Sequence, residues 1–211
     1  MNFTAFEYFK NINDFSNDLL KILDNYLFNY DTINMYIDTH RKGVIIENLR
    51  KIMEKDILAL IKGDPAARIN KEFIEGLVVD EDINYVLKTY RSLRAVMMYR
   101  VAHLIQEFGD VYLKEEGCEK EAINGANSFL HIQARDISDE AKAFSGLEIH
   151  PAAKIGFPFV VDHGYNTVIG ETCEIGNGCF ILQGVILGSR EVNKEKITTI
   201  NGRRQDRKSV V

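Results

Sequence analysis

In the stretch VVDHGYNTVIGET, Val160 to Thr172, an aspartate, a histidine and a glycine (Asp162, His163, Gly164) separate two aliphatic patches. An imidazole titrates near neutral pH and can take a proton from a hydroxyl once a carboxylate fixes its other nitrogen in one tautomer. Glu148 is the candidate for that second role. Val161 follows Ile149 by twelve residues, so Glu148 and His163 approach each other across the edge of one chain or between packed chains. The plainer alternative leaves Asp162 and His163 as exposed turn residues.

The elements that must position this pair change character near Gly146. Upstream, apolar residues recur at helical spacing in three stripes: Leu19, Leu20, Leu23, Tyr26 and Leu27; then Ile46 to Leu60; then Val86, Tyr90, Leu93, Val96, Met97 and Val101. Asp64 with Pro65 has the form of a helix cap followed by proline at the first helical position, and Gly109 reads as a stop after AHLIQEF. Downstream the period is six: Ile149, Ile155 and Val161, then, after an eight-residue step holding Tyr165, Asn166 and Thr167, Ile169, Ile175, Ile181 and Leu187. Gly156, Gly170, Gly176 and Gly188 each follow one of these directly, as a crowded backbone turn requires. A hexapeptide period of this kind marks a parallel β-helix, in which three short strands make one triangular lap and each aliphatic residue points into the shaft. The extra two residues of the long step push a corner outward, and Asp162 and His163 stand where that bulge begins. The expected fold is α+β: a helical domain over residues 1–145, hexapeptide coils over 146–189, and a loop with a basic tail over 190–211.

Composition narrows the function classes. A net charge of −5 gives no support to a nucleic-acid partner. Residues 190–211 carry seven Lys/Arg against three Asp/Glu, which reads as a solvated end or as a site for a phosphate-bearing ligand. No apolar run is long enough for a membrane span, and the N-terminal stretch is too polar for a signal peptide, so no membrane partner and a cytoplasmic location are expected. Cys118, Cys173 and Cys179 lack zinc-site spacing and read as free thiols, the latter two as packing residues at matching positions of successive faces. A zinc hydratase is disfavoured because the repeat holds only His150 and His163, where a catalytic zinc wants three protein ligands.

The run GLEIHPAAKIGFPFVVDHGYNTVIGETCEIGNGCFILQGVILG, with GDPAAR (Gly63–Arg68) and YRVAH (Tyr99–His103) upstream, resembles the serine O-acetyltransferases, hexapeptide acyltransferases of cysteine biosynthesis. The resemblance implies a left-handed coil, assembly as trimers or dimers of trimers, and direct acetyl transfer from acetyl-CoA to the hydroxyl of L-serine. No permanently bound cofactor and no acyl-enzyme are implied, in keeping with the absence of a nucleophile-elbow motif. It makes His163 the base, Glu148 its acidic partner and Asp162 the carboxylate for the serine ammonium group. A second acidic contact is expected from the helical domain among Asp80, Glu81 and Asp82, with Asp82 the choice. Gln183 and Gly188 match positions along the acetyl-CoA wall. His150 reads as support for the first lap, and His40, His103 and His131 as structural or exposed. The resemblance weakens after Gly188: where the family has an Arg-His-Pro motif that grips the serine carboxylate, NGRRQDRKSVV offers Arg203 and Arg204, with Arg204 the choice, and has Gln205 and Asp206 in place of His and Pro. The later coils and the tail that docks on cysteine synthase have no counterpart here, which leaves a catalytically impaired assembly subunit, or an acetyltransferase for another small acceptor, as alternatives.

Overall fold

A computed structural model describes residues 14–69 and 78–188, together with the backbone of 199–200 and 203–204. Six helices come first: α1 Phe15–Leu23, α2 Asp31–Tyr36, α3 Thr39–Gly63, α4 Asp80–Thr89, α5 Arg91–Phe108 and α6 Lys120–Ser145. Seven strands follow: β1 Leu147–Ile149, β2 Lys154–Ile155, β3 Phe159–Val161, β4 Thr167–Ile169, β5 Glu174–Ile175, β6 Cys179–Ile181 and β7 Ile186–Leu187. A short antiparallel pair, β8 Thr199–Ile200 and β9 Arg203–Arg204, lies beyond them. Among the described residues no helix is long and apolar enough to cross a membrane.

Most of the helical stripes bury as expected; Ile46, Ile52 and Tyr90 are only half-buried, and Leu20 is exposed. Gly109 departs from expectation. The helix runs straight through it into a π-helical stretch, Gly109–Leu113, so it is no stop. A Cβ there would lie 1.8 Å from Asn127 Oδ1 of α6, so glycine serves the close approach of two helices rather than the end of one. Asp64 does cap, its Oδ1 accepting from Ala66 N, but the helix it starts is a single 3-10 turn, Pro65–Ala67. Helix α6 ends at Gly146, whose φ of +71° and 2.5 Å approach to the Tyr165 ring both exclude a side chain.

The six-residue period is the wall of a three-sided coil. Strands β1, β4 and β7 stack in one parallel sheet, β2 and β5 in a second, β3 and β6 in a third. Ile149, Ile155, Val161, Ile169, Ile175 and Ile181 are all buried inside, and Leu187 is partly covered at the last lap. The register pairs Leu147 with Thr167 but Val168 with Ile186, so the first lap takes 20 residues and the second 18. The two extra residues fall in the 162–166 corner. Gly156 is glycine because the next lap passes beneath it, with Gly176 C 2.8 Å from where a Cβ would be.

A solenoid leaves the peptide groups of its first lap unpaired on one edge. The amide groups of His150, Lys154 and Gly156 donate to the lap below, so the carbonyls that precede them point the other way, towards the helices. Side chains of α5 and α6 meet these carbonyls. Ser138 Oγ donates to Ile149 O at 2.5 Å, Tyr99 Oη to Ala153 O at 2.6 Å and Arg100 Nη1 to Ile155 O at 2.7 Å. His103 Nδ1 donates to Pro151 O at 2.7 Å, which places the proton on that nitrogen. The YRVAH motif is therefore the seal between helices and coil. Arg100 also donates to Gly156 O and, through two nitrogens, to both oxygens of the fully buried Asp56 on α3, which in turn accepts from Phe159 N at 2.7 Å. Burial pushes the Asp56 carboxyl up, while Arg100 and the Phe159 amide pull it back.

Candidate active site

The lengthened corner carries Asp162, His163 and Gly164 directly after β3. Gly164 N closes it on Asp162 O at 2.7 Å, and Asn166 N ties it to Gly146 O at 3.1 Å. His163 adopts φ +59°, a left-handed conformation rare for a side chain of this size, and one that functional sites tolerate when the surroundings enforce it. Here the enforcement is packing on both sides: a Cβ at Gly164 would lie 3.0 Å from Ser92 Cβ of α5 and 3.6 Å from Leu147 Cβ. The imidazole stands outward, its side chain 74% exposed, with Nε2 3.9 Å from Asp162 Oδ2; Asp162 is 19% exposed. That separation suits an ion pair with a protonated ring and is too long for a hydrogen bond.

Glu148 sits mid-strand on β1, in register with Val168 and Ile186, one residue beyond the Leu147 that the corner touches. Its carboxylate is bridged to Lys142 Nζ of α6 at 2.5 Å. Among the described residues Glu148 thus bonds Lys142 and not His163, although both flank the same contact.

On the helical side, Asp82 is buried and its carboxylate accepts from Ile69 N at 2.9 Å, a local task that holds the chain after the Pro65–Ala67 turn. A further helical carboxylate, Asp64, is tied to the helix that packs on the corner. Its Oδ2 accepts from Tyr90 Oη at 2.7 Å, and Tyr90 lies at the start of α5, two residues from the Ser92 that packs on Gly164. Burial first, then Asp64, and more weakly Tyr85 and Asp162 push the Tyr90 phenol well above its ordinary value, so it remains a donor and stands within electrostatic reach of both carboxylates. Sequence reasoning read Asp64 only as a cap and Tyr90 only as core. The cap uses Oδ1 alone and leaves Oδ2 unassigned, which is the signal that a stricter accounting of the carboxylate would have used.

Gln183 is exposed in the second-lap corner, just below His163; Gly184 N there donates to Tyr165 O of the first at 3.0 Å. Gly188 belongs to a different corner, across the β4–β7 pair, next to Gly170. His150 supports the first lap, its Nδ1 accepting from Ala152 N. Arg203 and Arg204 form β9, but their side chains, and Gln205 and Asp206 entirely, lie outside the described residues. An open groove of about 710 Å³ on the β2–β5 side, lined in part by His103, Glu107, Lys154 and Glu174, contains none of the candidate residues. Among the described residues no cluster of His, Cys, Asp or Glu is fit to hold a metal, and Cys118, Cys173 and Cys179 form no disulfide.

No family model matches the chain. A serine acetyltransferase from Bacillus licheniformis is 36% identical over 146 residues, 69% of this chain and 52% of that one. Its counterpart from Bacillus subtilis is 35% identical over the same share of each. Among solved structures, serine acetyltransferase 1 of Entamoeba histolytica in complex with L-cysteine aligns over 90% of this chain and 60% of that one, at a TM-score of 0.56 and 22% identity, a likeness of fold. The chain spans about half the length of the relatives it matches. By sequence over that half, and by the joining of a helical part to parallel-stranded laps, the chain is a relative of the serine acetyltransferases.

Proposed function

We propose that this chain carries the acceptor side of a serine O-acetyltransferase, which moves the acetyl group of acetyl-CoA to the hydroxyl of L-serine and yields O-acetylserine for cysteine biosynthesis. The observation that carries the reading is the lengthened corner, which holds His163 in a left-handed backbone beside Asp162 and against the start of α5. In this mechanism the His163 imidazole takes the serine hydroxyl proton as that oxygen attacks the thioester carbonyl. The tetrahedral intermediate then collapses, and the departing CoA thiolate receives the proton from the imidazolium. Asp162 holds the acceptor's ammonium group, with Asp64 in place of Asp82 as the helical-domain carboxylate. Glu148 acts as the acidic partner of His163 once its carboxylate exchanges Lys142 for the imidazole. Arg204 takes the serine carboxylate, and Gln183 and Gly188 line the path of acetyl-CoA. No bound cofactor is needed, because the acetyl group passes directly.

We read the coil as left-handed and the working form as a homotrimer or a dimer of trimers. His163 is open to solvent in the single chain, whereas a general base that must not hydrolyse a thioester works best when shielded from water. Tyr165, Leu182 and Ile186 stand exposed around its corner, an apolar rim for a neighbouring copy to cover. Docking on cysteine synthase belongs to the same reading.

The test is thiol release from acetyl-CoA with and without L-serine, by the wild-type chain and by His163→Ala. Serine-dependent release that the variant loses by about a hundredfold or more supports the base. Release that His163→Ala retains refutes it, and no serine-dependent release by the wild type refutes the activity of this chain.

A further inference from the structure

Both oxygens of Asp64 are engaged by donors from separate elements. Oδ1 accepts from Ala66 N at 2.8 Å within its own turn, and Oδ2 accepts from Tyr90 Oη at 2.7 Å, 26 residues away on the start of α5. An ionised carboxylate has about four acceptor positions, so each oxygen keeps a lone pair free while the plane of the group is locked. Capping needs only the first of these bonds. The second costs the phenol much of its hydration, since Tyr90 is half-buried and meets Tyr85 edge-on at 6.3 Å. Tyr90 also feels Asp162, and Ser92, two residues on, packs against the Gly164 of the His163 corner. Tyr90 therefore fixes the geometry of Asp64 from the start of the helix whose Ser92 packs on the His163 corner.

We infer that Tyr90 is a positioning residue for the acceptor's ammonium group: its hydroxyl locks Asp64 so that the helical carboxylate and Asp162 face a cation together. The inference deepens the acceptor reading above and rests on it. Two carboxylates that face one site repel each other, and they gain most when a primary ammonium, with three donors on one centre, enters between them. The site then selects an amino-acid acceptor over the same hydroxy acid without its amino group.

The experiment compares L-serine with 3-hydroxypropionate, the serine skeleton lacking the amino group, by calorimetric titration of the wild-type chain and of Tyr90→Phe. The expected result is L-serine binding by the wild type that weakens about tenfold or more in Tyr90→Phe, with 3-hydroxypropionate unchanged. Loss of affinity for both ligands alike, or for neither, overturns the inference and leaves the acceptor reading standing. Failure of the wild type to bind L-serine overturns the acceptor reading and the inference with it. A melting curve reports whether Tyr90→Phe folds. Should it not, Tyr90→Met takes its place, because it too removes the hydroxyl and leaves Asp64 intact, with the same expected loss and the same overturning result.

Discussion

Removing the Arg100 guanidinium, as in Arg100→Met, tests whether the helical part and the coil form one cooperative unit. Arg100 donates to both oxygens of Asp56 at 2.9 and 3.2 Å and to the carbonyls of Ile155 and Gly156 at 2.7 and 2.8 Å, with 5% of its side chain exposed and none of Asp56. In the variant Asp56 keeps one donor, Phe159 N, and the carbonyls of Ile155, buried, and Gly156, half-buried, lose theirs. Breaking a buried pair from one side costs about 3–5 kcal/mol, chiefly because a charge stays behind without its partner. Asp56→Leu falls in the same range for the mirror reason. The double variant removes both charges and leaves one amide and two carbonyls unpaired at about 1 kcal/mol each, so it should lose only about 2–4 kcal/mol, well short of the sum of the two singles. Equilibrium denaturation in guanidinium, followed by far-UV circular dichroism, measures all three differences. A single-variant loss under about 1 kcal/mol, or singles that add within about 0.5 kcal/mol, would refute the claim that this pair closes the seam.

At Gly109 an added methyl must displace Asn127, whose side-chain nitrogen donates to Asp110 Oδ1 at 3.0 Å. Gly109→Ala should lower stability by about 1–3 kcal/mol, and Gly109→Ala with Asn127→Ala should recover most of it in the same denaturation assay. A carboxyl raised in the folded state, as Asp56 is, binds its proton more readily there than in the unfolded chain. Its contribution to stability is therefore full below the ordinary value of 3.8 and falls as pH rises through its raised native value. Denaturation midpoints taken across that window should fall more steeply with rising pH in the wild type than in Asp56→Asn, and parallel curves would contradict it.

The six-residue aliphatic period was legible because every lap must fill the same narrow shaft, and each aliphatic residue answers to its neighbours one lap above and below. The eight-residue step was legible for the same reason, since a break in so regular a pattern has to bulge. Gly109 misled because a glycine after a helical run has two uses, ending the helix or admitting a neighbour, and only the partner Asn127 on α6 distinguishes them. Asp82, expected from the resemblance as the second acidic contact, is in the fold buried and bonded to the Ile69 amide, a pairing no local spacing shows.

By itself the sequence determined that a helical part precedes a three-sided coil, that the coil's first lap is longer than its second, and that Asp162 and His163 ride on the difference. Those features depend on residue spacing along one strand path, where period and side-chain direction are tied together. Only the tertiary structure decided that Tyr90 holds the Asp64 carboxylate, that Lys142 engages Glu148, and that YRVAH closes the open edge of the first lap. Those pairings join residues far apart in the chain, and their existence depends on how α3, α5 and α6 sit on the coil, which no local spacing encodes.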